Sequence, residues 1–153
     1  GTDDQQRRWR SGRRRRRRHR VDRPSRRAGT ADDVPATAAG KVGLTFGEAT
    51  FPDGPLEPFT GRTIVDRRAL AREVERVREQ GWAGAEGERE HELNAVAAPV
   101  YGSRGELAAV RGVQGPASRF DAKAMARALE PLLARAAAVS DALGWRPTAK
   151  EGS

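Results

Sequence analysis

Ala95-Val96-Ala97-Ala98-Pro99-Val100-Tyr101, then Leu107-Ala108-Ala109-Val110-Arg111-Gly112-Val113, with Gly102-Ser103-Arg104-Gly105 between them, is the stretch that decides the fold. Two apolar, β-compatible runs separated by a cluster of turn formers spell a hairpin. Pro99 has no N–H to give to a ladder, so it is expected at an edge or a bulge. Arg111 interrupts the second run and marks its exposed face.

Upstream of the hairpin, Leu70, Val74 and Val77 recur at four and three residues while Arg72, Glu75, Arg76, Arg78 and Glu79 occupy other faces. That is one apolar stripe on a helix over 66–80. Thr63 or Asp66 can accept the free amides of its first turn, and Gly81 stands where a left-handed closing residue is wanted. Pro52, Gly54, Pro55 and Pro58 make residues 47–62 a connecting loop. Ala36–Phe46 is ambiguous: its alanines, Lys41 and Leu44 favour helix, and Gly40, Gly43 and Thr45 weaken it. Downstream, Asp121 is a natural N-cap for a helix carrying Met125, Leu129, Leu132, Leu133, Ala136, Val139 and Leu143, which Gly144 ends. Pro131 inside that pattern should kink the helix or begin a second one.

The order is therefore helix, loop, helix, short strand, hairpin, helix, an α+β pattern with an antiparallel sheet. The hairpin 94–114 is expected at the centre of the sheet, with helix 66–80 and the C-terminal helix covering its apolar face. Leu70, Val74, Val77, Leu129, Leu133 and Val139 should then be buried.

The 153 residues suffice for one ordinary domain. The absence of cysteine removes disulfides, zinc–thiolate sites and thiol nucleophiles. No apolar run approaches the roughly 20 residues of a membrane span, and no signal peptide follows the basic N-terminus, so a cytoplasmic protein with no membrane contact is expected. The net charge of +8 is unevenly placed. Residues 1–27 hold 13 arginines against Asp3, Asp4 and Asp22, whereas the remaining 126 residues hold 16 basic and 18 acidic groups.

Residues 1–35 are expected to be an Arg-rich disordered tail, because nothing in them offsets a backbone-ordering cost of roughly 1–2 kcal/mol per residue. Three readings of that tail stay open. Arg13, Arg14, Arg15, Arg16, Arg17 and Arg18 can neutralise phosphates and bind nucleic acid without regard to sequence. The tail can equally be a solvated leader, or a coding segment read in a shifted frame. Residues 147–153 form a second expected tail.

The blocks between the tails are similar to a known family. Ala36-Thr37-Ala38-Ala39-Gly40-Lys41, Phe59-Thr60 with Thr63-Ile64, and Gly81-Trp82-Ala83 come first. The acidic stretch Glu86–Glu92, Ala95–Val100, Gly112-Val113-Gln114-Gly115-Pro116 and Val139-Ser140-Asp141-Ala142-Leu143-Gly144 follow in the same order. Together they resemble the effector-binding domain of IclR-type bacterial transcription regulators, over about Ala36 to Gly144. The resemblance implies a GAF-like α+β domain, its antiparallel sheet flanked by helices, spanning residues 36–146. It also implies a small organic acid or aromatic metabolite as ligand, a homodimer or tetramer, no enzymatic activity and no cofactor. Complete members carry a winged helix-turn-helix and a linker helix ahead of this domain. Here those parts, and the opening helix and strands of the effector domain, are expected to be missing, so that the sheet is incomplete on its N-terminal side and DNA is reached only through the absent domain.

Carried over residue by residue, the family's ligand contacts fall on the backbone amides of Ala38 and Ala39 and on Ala85, Ala95, Gly112 and Gln114. Ala85 cannot supply the carboxylate usual there, so Glu86 is the nearest acid, and Gln114 is the polar side chain retained. Amides at a helix start suit an anion, although Ala38 and Ala39 can simply pack. Gly112 and Gln114 are two apart and share a face of their strand. Asn94 either contacts ligand or caps the strand, and Glu86, Glu88 and Glu90 read more readily as a solvated loop than as ligand contacts.

Other chemistry finds no support. Gly40-Lys41 is not a phosphate-binding loop, since Pro35 and Val42 stand where glycine and a hydroxyl are needed. His19 and His91 lack partners at metal spacing, so no metal site is expected. No serine occupies a nucleophile elbow. Trp82 and Trp145 read as packing or rim residues.

Overall fold

The computed structural model describes residues 34–147. The expectations for Arg13–Arg18, for most of the tail 1–35 and for residues 148–153 fall outside them. A 3-10 turn at Val34–Ala36 leads into helix α1 (Ala38–Phe46). Helix α2 (Arg67–Gln80), strands β1 (Ala83–Glu86), β2 (Leu93–Tyr101) and β3 (Leu107–Pro116), and helix α3 (Ala122–Ala142) follow. The fold is α+β, and the described residues form a three-stranded sheet of order β1-β2-β3, antiparallel throughout.

The hairpin forms as its sequence dictates. Gly102 N–H closes on Glu106 carbonyl at 2.9 Å, and Gly105 takes a left-handed φ of 82° in the turn. Val100 pairs with Ala109 and Tyr101 with Leu107, so Ala108 is the extra residue of a bulge. Pro99 lies beside this bulge and beyond Ala97, where β1 stops pairing with β2. Its missing N–H therefore leaves no ladder position to β1 unfilled.

β2 is buried on both faces, which is why its sequence is a nearly continuous apolar run rather than an alternation. Val96, Ala98 and Val100 pack against Met125, Leu132 and Ala136 of α3. Ala97, with Ala83 and Ala85 of β1, packs on the opposite face against Ala38 and Val42 of α1 and Val77 of α2. A third cluster joins Leu44, Leu56, Leu70 and Val74, seating α2 on α1 and on the loop between them.

This arrangement corrects the expected layering. The hairpin supplies the central strand, but among the described residues β3 is an edge, and most of it is exposed. One face of the sheet is covered by α1, with α2 behind it, and the other by α3, rather than one face by α2 and α3 together. α1 is short yet buried on most sides, because it is wedged between the sheet and α2. Thr37 starts it, its hydroxyl accepting the Gly40 N–H at 2.9 Å. Asp66, not Thr63, caps α2, and Gly81 closes it at φ 85°.

Pro131 does not begin a second helix, since α3 runs through it unbroken from its Asp121 cap. The carbonyl it leaves without a partner, that of Arg127, belongs to an exposed turn where water can satisfy it. The buried line of α3 is Met125, Leu132, Ala136 and Ser140. Leu70, Val74 and Val77 are buried as expected and Leu129 is half-buried, but Leu133 and Val139 are 37% and 36% exposed. Both ends of β2 set that rotation. Asn94 Nδ2 donates to the Phe120 carbonyl at 2.9 Å just before α3. Ser140 Oγ accepts the Tyr101 N–H at 2.9 Å and donates to the Ala136 carbonyl near its end.

Two adjacent leucines therefore differ sharply. Leu132→Ala should cost about 2–5 kcal/mol through lost burial and a residual cavity, and Leu133→Ala no more than about 1 kcal/mol. Urea denaturation of the two variants measures both, and equal losses would contradict the orientation of α3.

Candidate functional site

Lys41 is fully buried in α1, one turn after the Thr37 cap. Its ammonium has three protons and finds three acceptors: Glu73 Oε2 at 2.6 Å, Glu88 Oε2 at 2.8 Å and the Gly84 carbonyl at 2.8 Å. α1, α2, β1 and the loop after β1 thus meet at one charge. The loop is held there by two threonines ahead of α2. Thr60 Oγ1 donates to the Gly87 carbonyl and Thr63 Oγ1 to the Glu88 carbonyl, both at 2.5 Å. Thr63 Oγ1 in turn accepts the N–H groups of Phe59 and Thr60. The guanidinium of Arg89 lies over the Phe59 ring, 4.2 Å from its centroid.

Glu88 corrects the reading of Glu86, Glu88 and Glu90 as a solvated loop. Glu86, Glu90 and Glu92 are exposed, but Glu88 is only 8% exposed. Burial pushes its carboxyl above the usual range, and the nearby Glu73 carboxylate adds to the rise. Lys41 and, more weakly, the Glu86 N–H draw it back. Its Oε1 has no hydrogen-bond partner among the described residues. Spacing marks Lys41 only as a helix former and gives Glu73 no role. The available signal was a lysine between Ala38, Val42 and Thr45 on the helix face that becomes buried, a position that demands a buried acid.

The expected ligand contacts divide between the two faces of the sheet. On the α1 face, Ala95 lies directly opposite Ala85 on one side and Gln114 on the other, and Gly112 lies opposite Ala97. Ala38 is buried in the same cluster, with Ala95 partly buried against it. Ala39 is exposed beside it, as are Gly112 and Gln114. Of the first-turn amides, Gly40 is taken by the Thr37 hydroxyl and Lys41 by the Thr37 carbonyl, so those of Ala38 and Ala39 remain as the helix-start donors. Glu86 and Asn94 pair with each other across β1 and β2 and belong to the α3 face. Asn94 is buried, its amide committed to Phe120.

On that α3 face lies a cavity of about 390 Å³ between α2, β1 and the first turns of α3. Trp82, Val96, Met125 and Leu129 form its apolar wall, and Glu73, Glu86 and Glu88 line it as well. Tyr101 and Trp145 stack at the far end of the sheet, centroids 4.8 Å apart.

Residues 18–141 match the family described as bacterial transcriptional regulator IclR C-terminal. The chain belongs to the IclR family of bacterial transcription regulators. It corresponds to the C-terminal, effector-binding region, and the family match extends upstream of Ala36. The chain is 32% identical over 120 residues to the HTH-type transcriptional repressor AllR of Salmonella typhi, covering 78% of this chain and 42% of that protein. It is 34% identical over 125 residues to the HTH-type transcriptional regulator XynR of Escherichia coli K12, covering 78% and 49%. This IclR-family chain thus spans less than half the length of these relatives, which are regulators rather than enzymes. Among solved structures, IclR of Thermotoga maritima superimposes with a TM-score of 0.64 at 28% identity, covering 73% of this chain and 47% of that one. The C-terminal domain of E. coli KdgR gives 0.63 at 28%, covering 73% and 71%. No helix among the described residues is long and apolar enough to cross a membrane.

The raised carboxyl of Glu88 has a definite consequence for pH dependence. A group that holds its proton more tightly when folded favours folding at low pH, and that contribution fades as pH rises from the unfolded value through the raised folded one. Glu88→Gln cannot titrate. The stability of the unaltered protein relative to Glu88→Gln should therefore fall as pH rises from about 4 to 7, measured by urea midpoints at fixed ionic strength. A difference that grows with pH would reverse the assignment.

Proposed function

We infer that the chain is the metabolite-sensing part of a DNA-binding regulator, taking a small organic acid or aromatic metabolite on the α1 face of the sheet. Cross-strand register carries this reading. Ala95 opposite Gln114, and Gly112 one row on, form a wall of small side chains beside the start of α1. The amides of Ala38 and Ala39 suit a carboxylate there, Gln114 can hydrogen-bond a second polar group, and the absent side chain of Gly112 leaves room for the body of the ligand. With alanine at 85 and 95, this wall is less polar than the family resemblance implies, which favours a ligand with one anionic end and an apolar or aromatic remainder. Glu86 and Asn94 lie on the other face and contribute nothing to this wall.

A sensor must bind two arrangements with different affinity. α1 is the element through which a ligand at its first turn would act, because Lys41 ties it to α2, β1 and the loop at Glu88. The response would pass through a homodimer or tetramer to a DNA-binding domain belonging to the whole regulator.

Thermal shift against a panel of small aliphatic and aromatic acids tests the reading. At least one acid should raise the melting temperature in a saturable way, and Gln114→Ala should weaken it by about 2- to 12-fold, the loss of one hydrogen bond. A folded chain that responds to no acid, or responds equally with Gln114→Ala, would count against it.

A further inference from the structure

Among the described residues β3 is an open side of the sheet, and the direction of its backbone groups follows from one bond. Ala117 N–H donates to the Glu92 carbonyl at 2.6 Å, one step beyond the pair Leu93–Pro116. Hydrogen-bonded and non-hydrogen-bonded pairs alternate in an antiparallel ladder. Leu93–Pro116, Ala95–Gln114, Ala97–Gly112 and Pro99–Val110 are therefore all of the second kind, and Pro99, which has no N–H, belongs in such a pair. The N–H and C=O groups of Val110, Gly112 and Gln114 thus point away from β2, to the side where no described strand lies.

An open row of this kind is a template for another strand, and proteins blunt it with prolines, bulges and charges. β3 is blunted at its ends, by the bulge at Ala108 and by Pro116. Between them, Ala109–Gly115 carry a single charge, that of Arg111. Arg111 lies opposite Ala98 and Val113 opposite Val96, so both belong to the α3 face. Val96 is buried, yet Val113 beside it is 41% exposed. α3 covers β2 and leaves the β3 margin bare.

This edge is complementary to itself in one register. With a two-fold axis at Gly112, two β3 strands run antiparallel, Gly112 meets its own copy and Val110 meets the partner's Gln114. Every outward N–H then finds an outward C=O, and no side chain stands at the axis. Arg111 falls opposite the partner's Val113, its methylene stem covering that valine while its guanidinium reaches water. An axis at Arg111 would instead set like charges directly opposite each other, where side chains are closest. An axis at Val113 would set Val110 against Pro116, which has no N–H to give.

We propose that this edge is where two copies of the chain join, β3 to β3 about Gly112. The result is one sheet of order β1-β2-β3-β3-β2-β1 with both α3 helices on the same face. The inference goes beyond the ligand reading, because it concerns the contact between copies and holds whether or not the α1 face takes an acid.

Sedimentation equilibrium and disulfide trapping on the full 153-residue chain test it. The chain should associate reversibly to a dimer below about 100 µM. Gln114→Pro removes an outward N–H and none that β2 uses, so it should weaken association at least about tenfold, through the loss of a symmetric pair of hydrogen bonds, with the circular dichroism unchanged. The chain has no cysteine, so Arg111→Cys combined with Val113→Cys reports the register. Mild oxidation should give a covalent dimer that joins position 111 of one copy to position 113 of the other, and adding Gln114→Pro should suppress it. The trapping alone decides the matter if Gln114→Pro fails to fold. A monomer at about 100 µM, as when residues of the same chain or another protein cover the edge, overturns the proposal. So does a dimer that a folded Gln114→Pro leaves unweakened, or one whose introduced cysteines do not link 111 to 113.

Discussion

A fully buried ammonium is the constraint around which this domain is arranged. Removing a lysine charge from water costs several kcal/mol unless its partners are close and complete, and Lys41 has the complete set. The partners come from α2, from β1 and from the loop after it, so none can move far without exposing the charge or leaving it unmatched. The hydrogen bonds of Thr60 and Thr63 to the loop, the seating of α2 on α1 and the inward turn of one glutamate among several all serve that requirement.

What the sequence revealed was the local part of this structure. The hairpin, the stripe of α2 and the Asp121 cap follow from spacing and turn chemistry between residues near in sequence, and the structure reproduces them. The orientation of α3 was not legible, because Leu129, Leu132, Leu133, Ala136 and Val139 allow two stripes of nearly equal apolarity. The choice falls to Ser140, which must meet the Tyr101 N–H, a hydrogen bond between residues 39 apart. The layering was missed for a related reason. A run of small apolar residues in β2 is compatible with one covered face or two, and only the placement of α1 decides.

The site was legible in part. Register places Ala95, Gly112 and Gln114 on one face, as their spacing implies, but Glu86 and Asn94 on the other. Glu88 was hidden in an acidic stretch where every second residue is glutamate. Nothing local separates it from Glu86 or Glu90; the Thr63 hydroxyl, 25 residues away, does so by holding its carbonyl. The sheet consequently carries two chemically different surfaces, a small-residue wall beside helix amides and an acidic cavity beneath α3. Lys41 lies in the element that borders the first and hydrogen-bonds two carboxylates that line the second.

The most direct test of Lys41 as the organising contact is a double-mutant cycle with Lys41→Met and Glu88→Gln, read by urea denaturation at neutral pH. Lys41→Met alone should cost about 3–5 kcal/mol, because it leaves buried carboxylates without their cation. Adding Glu88→Gln should recover part of that loss, giving a coupling energy of about 1–3 kcal/mol. A Lys41→Met variant within about 0.5 kcal/mol of the unaltered chain, with the two substitutions simply additive, would contradict the account.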